Sequence, residues 1–178
     1  MSVESPTPLL ALVAYSGTGK TTLLEQLLPW LAARSVRVAT VKHTHHQFDI
    51  DKPGKDSYRL RVAGARQVLV ASRRRWALIT ELDETRDEPD LQQLLQALNH
   101  DSLDLVLVEG FKHEDTPKLE LHRPVLGKPL LCTDDANIVA VASDDATLVL
   151  PRTLPLLDLN DIDTIGHFVL QHMQTHKY

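Results

Sequence analysis

Short apolar runs, separated by glycine, proline and charge, recur along the chain. Leu9 to Val13 is unbroken, as a strand covered on both faces would be. Behind it, leucines at 23, 24, 27, 28 and 31 return with a helical period, which predicts a helix from Lys20 to about Arg34 that Pro29 should bend or interrupt. Val36 to Val41, rich in β-branched residues, predicts a second strand ending at Lys42-His43. Strand, helix and strand of this length imply a right-handed crossover and a parallel pair. A long polar connection, Thr44 to Gly54, leads to a short helix over Lys55 to Ala63 that Gly64 closes. Gln67 to Ser72 and Trp76 to Leu82 read as a tight strand pair across Arg73-Arg74-Arg75; Glu84 to Pro89 is a charged linker. Pro89 then opens a helix with leucines at 91, 94, 95 and 98.

The second half repeats the logic. Leu103 to Val108 is a central-strand pattern that ends in Glu109. Leu119 to His122 and Leu130 to Thr133 read as antiparallel partners, and Ile138 to Ala142 as a buried strand. Thr147 to Leu150 and Leu156-Leu157 are short strand candidates among prolines, and Asp161 to about Gln174 is a last helix. Residues 1–8, polar and punctuated by proline, are expected to be a mobile tail.

The turn between the first strand and the first helix supplies the chemistry. Ala14-Tyr15-Ser16-Gly17-Thr18-Gly19-Lys20-Thr21 fits a P-loop, with Ala14 where the stricter pattern has glycine. In such a turn successive N–H groups converge on phosphate, the helix N-terminus adds partial positive charge, and glycines let the backbone close around the anion. Ser16, Gly17, Thr18, Gly19, Lys20, Thr21 and Thr22 are therefore the phosphate-binding candidates. Lys20 would reach the β- and γ-phosphates, and Thr21 would offer its hydroxyl to Mg2+. The element order then predicts an α/β fold: a three-layer P-loop NTPase core with a mostly parallel sheet plus an antiparallel extension, in one domain over residues 1–178.

A P-loop calls for a carboxylate at the end of a neighbouring strand, and Glu109 fills that place as the second metal anchor. Asp49 and Asp51 alternate along the polar loop, where both could orient Mg2+ waters or the attacking water; Asp51 joins Lys20 as a catalytic candidate and Glu109 and Thr21 as a metal candidate. Lys42 is placed as an added phosphate ligand. The Asn-Lys-x-Asp tetrapeptide that reads guanine in familiar GTPases is absent, and Ser143-Asp144, directly after a buried strand, is its positional substitute. His43, His45 and His46 raise an alternative, a metal-delivery GTPase, although their spacing leaves a tetrahedral ligand set incomplete. The cluster Arg73 to Arg75 suits an anionic substrate or a second protein, the one hint of a small-molecule kinase.

Composition narrows the setting. The net charge of -5 over 178 residues argues against general nucleic-acid binding through a basic face. One cysteine, Cys132, cannot form an internal disulfide, which fits a reduced, cytoplasmic home. The first apolar run is too short to span a bilayer and lacks a basic lead, so neither secretion nor a membrane span is expected.

The chain resembles the molybdopterin-guanine dinucleotide biosynthesis protein B (MobB) family. The resemblance rests on Ser16 to Thr22, Lys42-His43-Thr44-His45-His46, Asp49 to Tyr58, Arg75 to Leu78, Leu107 to His113 and Val139 to Asp144, blocks spread over most of the chain. It implies a GTP-binding protein, slow at hydrolysis alone, that assists a molybdenum cofactor guanylyltransferase joining GMP to molybdopterin, with other molybdopterin-handling proteins as further partners. It also implies a homodimer whose interface uses strands beyond the P-loop core, here the β-hairpin expected over residues 117–135.

Overall fold

The computed structural model describes residues 3–44, 49–82 and 88–175. Along the chain run β1 (Leu9–Val13), α1 (Lys20–Ala32), β2 (Val38–Lys42), α2 (Asp56–Val62), β3 (Gln67–Ala71), β4 (Trp76–Thr80), α3 (Leu91–Gln96), β5 (Leu105–Glu109), β6 (Lys118–His122), β7 (Ile138–Ser143), β8 (Leu156–Asp158) and α4 (Ile162–Thr175). Contacts divide the chain into two units, Met1–His43 with Asp90–Tyr178, and Thr44–Pro89. The undivided domain expected from length is thus, in contact terms, a core and an insertion.

In the core, six strands form one sheet in the order β2-β5-β1-β6-β7-β8, each neighbouring pair parallel. A parallel sheet needs cover on both faces. On one face Leu10 and Leu12 of β1 pack with Leu23, Leu24, Leu27 and Leu31 of α1 and with Ile165, Val169 and Met173 of α4. On the other, Leu9 and Ala11 pack with Leu91 and Leu95 of α3. That double cover explains why β1 reads as a continuous apolar run. The predicted interruption of α1 at Pro29 does not occur, for the helix continues to Ala32. Four buried leucines, each worth about 1.5–3 kcal/mol, outweigh one lost backbone bond and its clash, about 3 kcal/mol.

Three expectations are corrected here. The strand pair over residues 117–135 is not a hairpin: β6 lies inside the sheet between β1 and β7, and Leu131–Thr133 is a 3-10 turn. Polar side chains of β6 hold that turn in place. Glu120 accepts the Leu131 and Cys132 N–H groups at 2.7 and 2.9 Å, and Lys118 Nζ donates to Asp135 Oδ2 at 2.7 Å. Residues 3–8 are not loose: Glu4 exchanges two hydrogen bonds with Gln92, the Thr7 hydroxyl bonds to His100 Nδ1 at 2.8 Å, and the Pro8 carbonyl accepts the Val106 N–H. Thr147 to Leu150 forms no strand; Leu148 and Leu150 pack instead against a small cluster of Val13, Cys132, Ile138 and Val141.

The insertion holds α2 and the antiparallel pair β3-β4. Gly64, at φ 107°, ends α2 in the left-handed conformation that glycine adopts without penalty. Ser72 closes the hairpin: its N–H and hydroxyl both donate to the Arg75 carbonyl, at 2.8 and 2.9 Å. The cross-strand pairs Leu69-Leu78 and Ala71-Trp76 share one face, and there Leu69, Leu78 and Trp76 are 61%, 44% and 67% exposed. The linker over Glu84 to Asp87 lies outside the described residues.

Candidate nucleotide site

Three core strands deliver the site. β1 lies between β5 and β6, and β5 between β1 and β2, so the residues that follow β1, close β5 and close β2 meet at the carboxyl end of the sheet, where such folds bind ligands. The register places Glu109 beside Leu12 on one side and Lys42 on the other.

The loop after β1 is built as a cradle. Gly17 and Gly19 have φ 83° and 102°, and a Cβ at either would meet nothing within 4 Å, so the glycines serve backbone conformation and leave an open surface. Thr18 is buried, its hydroxyl donating to the Tyr15 carbonyl at 2.8 Å. The first backbone bond of α1 runs from Leu23 N–H to the Gly19 carbonyl at 2.9 Å, so the preceding amides are the helix's orphan donors, available to an anion. Lys20 Nζ donates to the Ala14 carbonyl at 3.0 Å, folded back over the loop. Burial holds its ammonium below the ordinary lysine range; Glu109 opposes that shift and Lys42 adds to it.

Lys42 Nζ and Glu109 Oε2 form an ion pair at 3.2 Å, with Glu109 only 13% exposed. Past Glu109 the backbone turns sharply through Gly110 at φ 95° and Phe111 at φ 52°. A non-glycine residue in this region is strained, a cost that recurs at functional sites. A Cβ on Gly110 would lie 2.9 Å from His43 Cβ, so glycine is also required for space. His43 lies with its ring 4.8 Å from that of Phe111.

On the far side of β1, Ser143 is buried at the end of β7, and its hydroxyl accepts the Asp145 N–H. Asp144 Oδ2 accepts from Arg123 Nη1 at 2.5 Å, and Arg123 Nε donates to the Thr18 carbonyl at 3.0 Å. Arg123 was not singled out in the sequence; its signal is an arginine directly after a buried strand that adjoins β1.

The P-loop, Lys42, Glu109, Ser143 and Asp144 thus all belong to the core unit. Asp49 and Asp51 belong to the insertion, where both accept from Arg61 Nη2, at 2.7 and 2.9 Å, and Glu81 accepts from its Nη1. Asp51 Oδ2 is buried and without a partner. His45 and His46 lie outside the described residues, and among those described no group of three or more metal-ligating side chains is assembled. No helix among the described residues is long and apolar enough to cross a membrane.

Residues 9–144 match the family described as Molybdopterin guanine dinucleotide synthesis protein B. The chain is 50% identical over 175 residues to the molybdopterin-guanine dinucleotide biosynthesis adapter protein of Escherichia coli K12, covering 98% of each chain. It is 48% identical over 162 residues to the adapter protein of Haemophilus influenzae, covering 91% of this chain and 87% of that one. A crystal structure of molybdopterin-guanine biosynthesis protein B superposes with a TM-score of 0.73 at 26% identity over 93% of this chain and 99% of that one. The MobB homologue from Bacillus stearothermophilus gives 0.69 at 27% identity over 96% and 100%. With a P-loop core, an inserted hairpin and half of its residues shared with a full-length relative, the chain belongs to the molybdopterin guanine dinucleotide synthesis protein B family.

Proposed function

We propose that this chain is a cytoplasmic GTP-binding adapter, slow at hydrolysis, that assists attachment of GMP to molybdopterin by a molybdenum cofactor guanylyltransferase. The observation that carries the reading is the cradle itself: two positive-φ glycines, the orphan amides ahead of Leu23 and a folded-back Lys20, beside a half-screened Glu109, in a chain of this family.

Mg2+ fits the donor set. It takes few protein ligands and completes its shell with phosphate and water, and the Thr21 hydroxyl and Glu109 carboxylate are two oxygen donors at one end of the sheet. When bound, the ion neutralises phosphate charge. Lys20 would leave the Ala14 carbonyl for the β- and γ-phosphates, over the amides of Ser16 to Thr22. Glu109 would leave Lys42, which then has phosphate as its nearest anion. Asp144, with Ser143 fixing the turn, would read the guanine edge. Asp49 and Asp51, the water-orienting candidates of the sequence, are held by Arg61 within the insertion.

The dimer expected of the family would use the apolar face of β3-β4, which takes over the interface role first given to residues 117–135. A two-stranded sheet is marginal by itself, and Leu69, Leu78 and Trp76 on one face suit a second copy of the same face.

Calorimetric titration with GTP and ATP, with and without Mg2+, tests the reading. GTP binding that is Mg2+-dependent and stronger than ATP binding is the expected result, with unaided hydrolysis below roughly 0.01 per second. Equal affinities would remove the guanine assignment, and fast unaided turnover would remove the adapter reading.

A further inference from the structure

We infer that Arg123 is a positioning residue that ties the phosphate loop to the base-reading aspartate, so that the two halves of the nucleotide are bound by one connected unit. The inference rests on the assignment of Asp144 to guanine made above. Its ground is placement. β6 lies between β1 and β7, and neighbouring strands are about 4.8 Å apart. A side chain just past the end of β6 is therefore one strand away from the P-loop on one side and from Asp144 on the other. Arg123 occupies that position in extended backbone, directly before Pro124.

The guanidinium suits the task because it is a rigid fork of donors. Its Nε donates to the Thr18 carbonyl at 3.0 Å, while Nη1 donates to Asp144 Oδ2 at 2.5 Å. Thr18 is held from the inside as well, by its hydroxyl on the Tyr15 carbonyl, so the peptide before Gly19 is clamped from both sides. That peptide sets the start of α1 and hence the direction of the amides that meet phosphate. At the other end of the fork Nη1 fixes Oδ2 of Asp144, which would orient the carboxylate to accept from the N1 and N2 hydrogens of guanine. Arg123 also screens Asp144 from the negative charge of the phosphates. A lysine there would keep the charge and lose the fork.

Calorimetry on Arg123→Met, Arg123→Lys, Asp144→Asn and the Arg123→Met/Asp144→Asn double variant tests this, with GTP, with ITP (which lacks the 2-amino group) and with inorganic tripolyphosphate. Thermal unfolding of each variant is followed alongside. Asp144→Asn should lower the GTP-to-ITP preference about tenfold while leaving tripolyphosphate affinity alone. Arg123→Met should lower both the preference and tripolyphosphate affinity, each by about tenfold. Arg123→Lys should restore tripolyphosphate affinity but not the preference, and the double variant should discriminate no worse than Asp144→Asn. If Arg123→Met keeps the wild-type preference while Asp144→Asn loses it, the inference is overturned. Equal loss of GTP and ITP with a lowered unfolding midpoint overturns it too, since Arg123 would then only brace the fold. If Asp144→Asn retains the preference, the guanine assignment itself is what fails.

Discussion

Lys20 is where the chemistry of the cradle can be tested one atom at a time. Its ammonium lies on the Ala14 carbonyl in a partly buried setting that lowers its pKa from 10.5. Bound phosphates would favour the charged form and raise that pKa again. Between the lowered value of the free chain and the raised value of the complex, nucleotide binding should therefore take up a proton, and affinity should fall as pH rises through that window. Calorimetry in buffers of different ionisation enthalpy measures the uptake; a binding enthalpy indifferent to buffer across alkaline pH would show that Lys20 does not meet phosphate. Lys20→Ala should abolish measurable GTP binding with an unchanged circular dichroism spectrum, because the ammonium gives up a single hydrogen bond, to the Ala14 carbonyl. At this scale the sequence was informative where a tight turn imposes a local pattern, as in the positive-φ Gly17 and Gly19. It was silent on Arg123, whose partners Thr18 and Asp144 are 105 and 21 residues away and meet it only through the strand order. Asp49 and Asp51 show the converse, since their alternation was visible but the shared Arg61 was not.

The failure over residues 117–135 belongs to the scale of the element. Lys118-Leu119-Glu120-Leu121 alternates like a strand with one wet face, yet all of β6 is buried. Lys118 is only 2% exposed at its side chain and is paired with Asp135, while Glu120 caps the 3-10 turn. An alternating pattern cannot distinguish water from a charged or amide partner brought in from later in the chain. Removing Asp135 leaves the buried Lys118 charge alone, so Asp135→Ala should destabilise the chain by about 3 kcal/mol, whereas Lys118→Met, which leaves Asp135 24% exposed and able to meet water, should be nearly neutral. Urea unfolding of both variants decides the matter; equal effects would mean that the pair matters only as packing. Helix packing supplies a second case. Gly166 of α4 admits the Trp30 ring so closely that an added Cβ would lie 2.5 Å from it. Trp30 is held by a 2.6 Å bond to Asp163 and by Arg34 stacked 3.4 Å above its ring. Gly166→Ala should therefore cost about 1–3 kcal/mol through overpacking, despite alanine's better helix propensity, and should change the tryptophan emission spectrum.

At the scale of the whole molecule the inserted hairpin stands out, and its existence was legible in the sequence because two short apolar segments flank the Arg73 to Arg75 turn. What the sequence could not show is how much apolar surface this pair leaves exposed: Val68 is buried, but Val70 on the same face is 46% exposed, and Leu69, Leu78 and Trp76 on the opposite face are exposed to 61%, 44% and 67%. A two-fold pairing of this face with itself would bring Trp76 and Leu78 of each copy into a shared apolar centre, the kind of aromatic anchor that dominates interfaces. Charge placed there would be desolvated in the dimer but free in the monomer. Trp76→Glu combined with Leu78→Glu should thus yield a monomer by light scattering while GTP affinity, set by the P-loop in the other unit, stays within about twofold of wild type. A wild-type chain that is already monomeric at tens of micromolar, or a double variant that remains dimeric, would assign this face to a partner other than a second copy. In the first case the covering surface would have to come from another protein, and the exposed Arg73 to Arg75 turn beside it would favour one with an acidic rim.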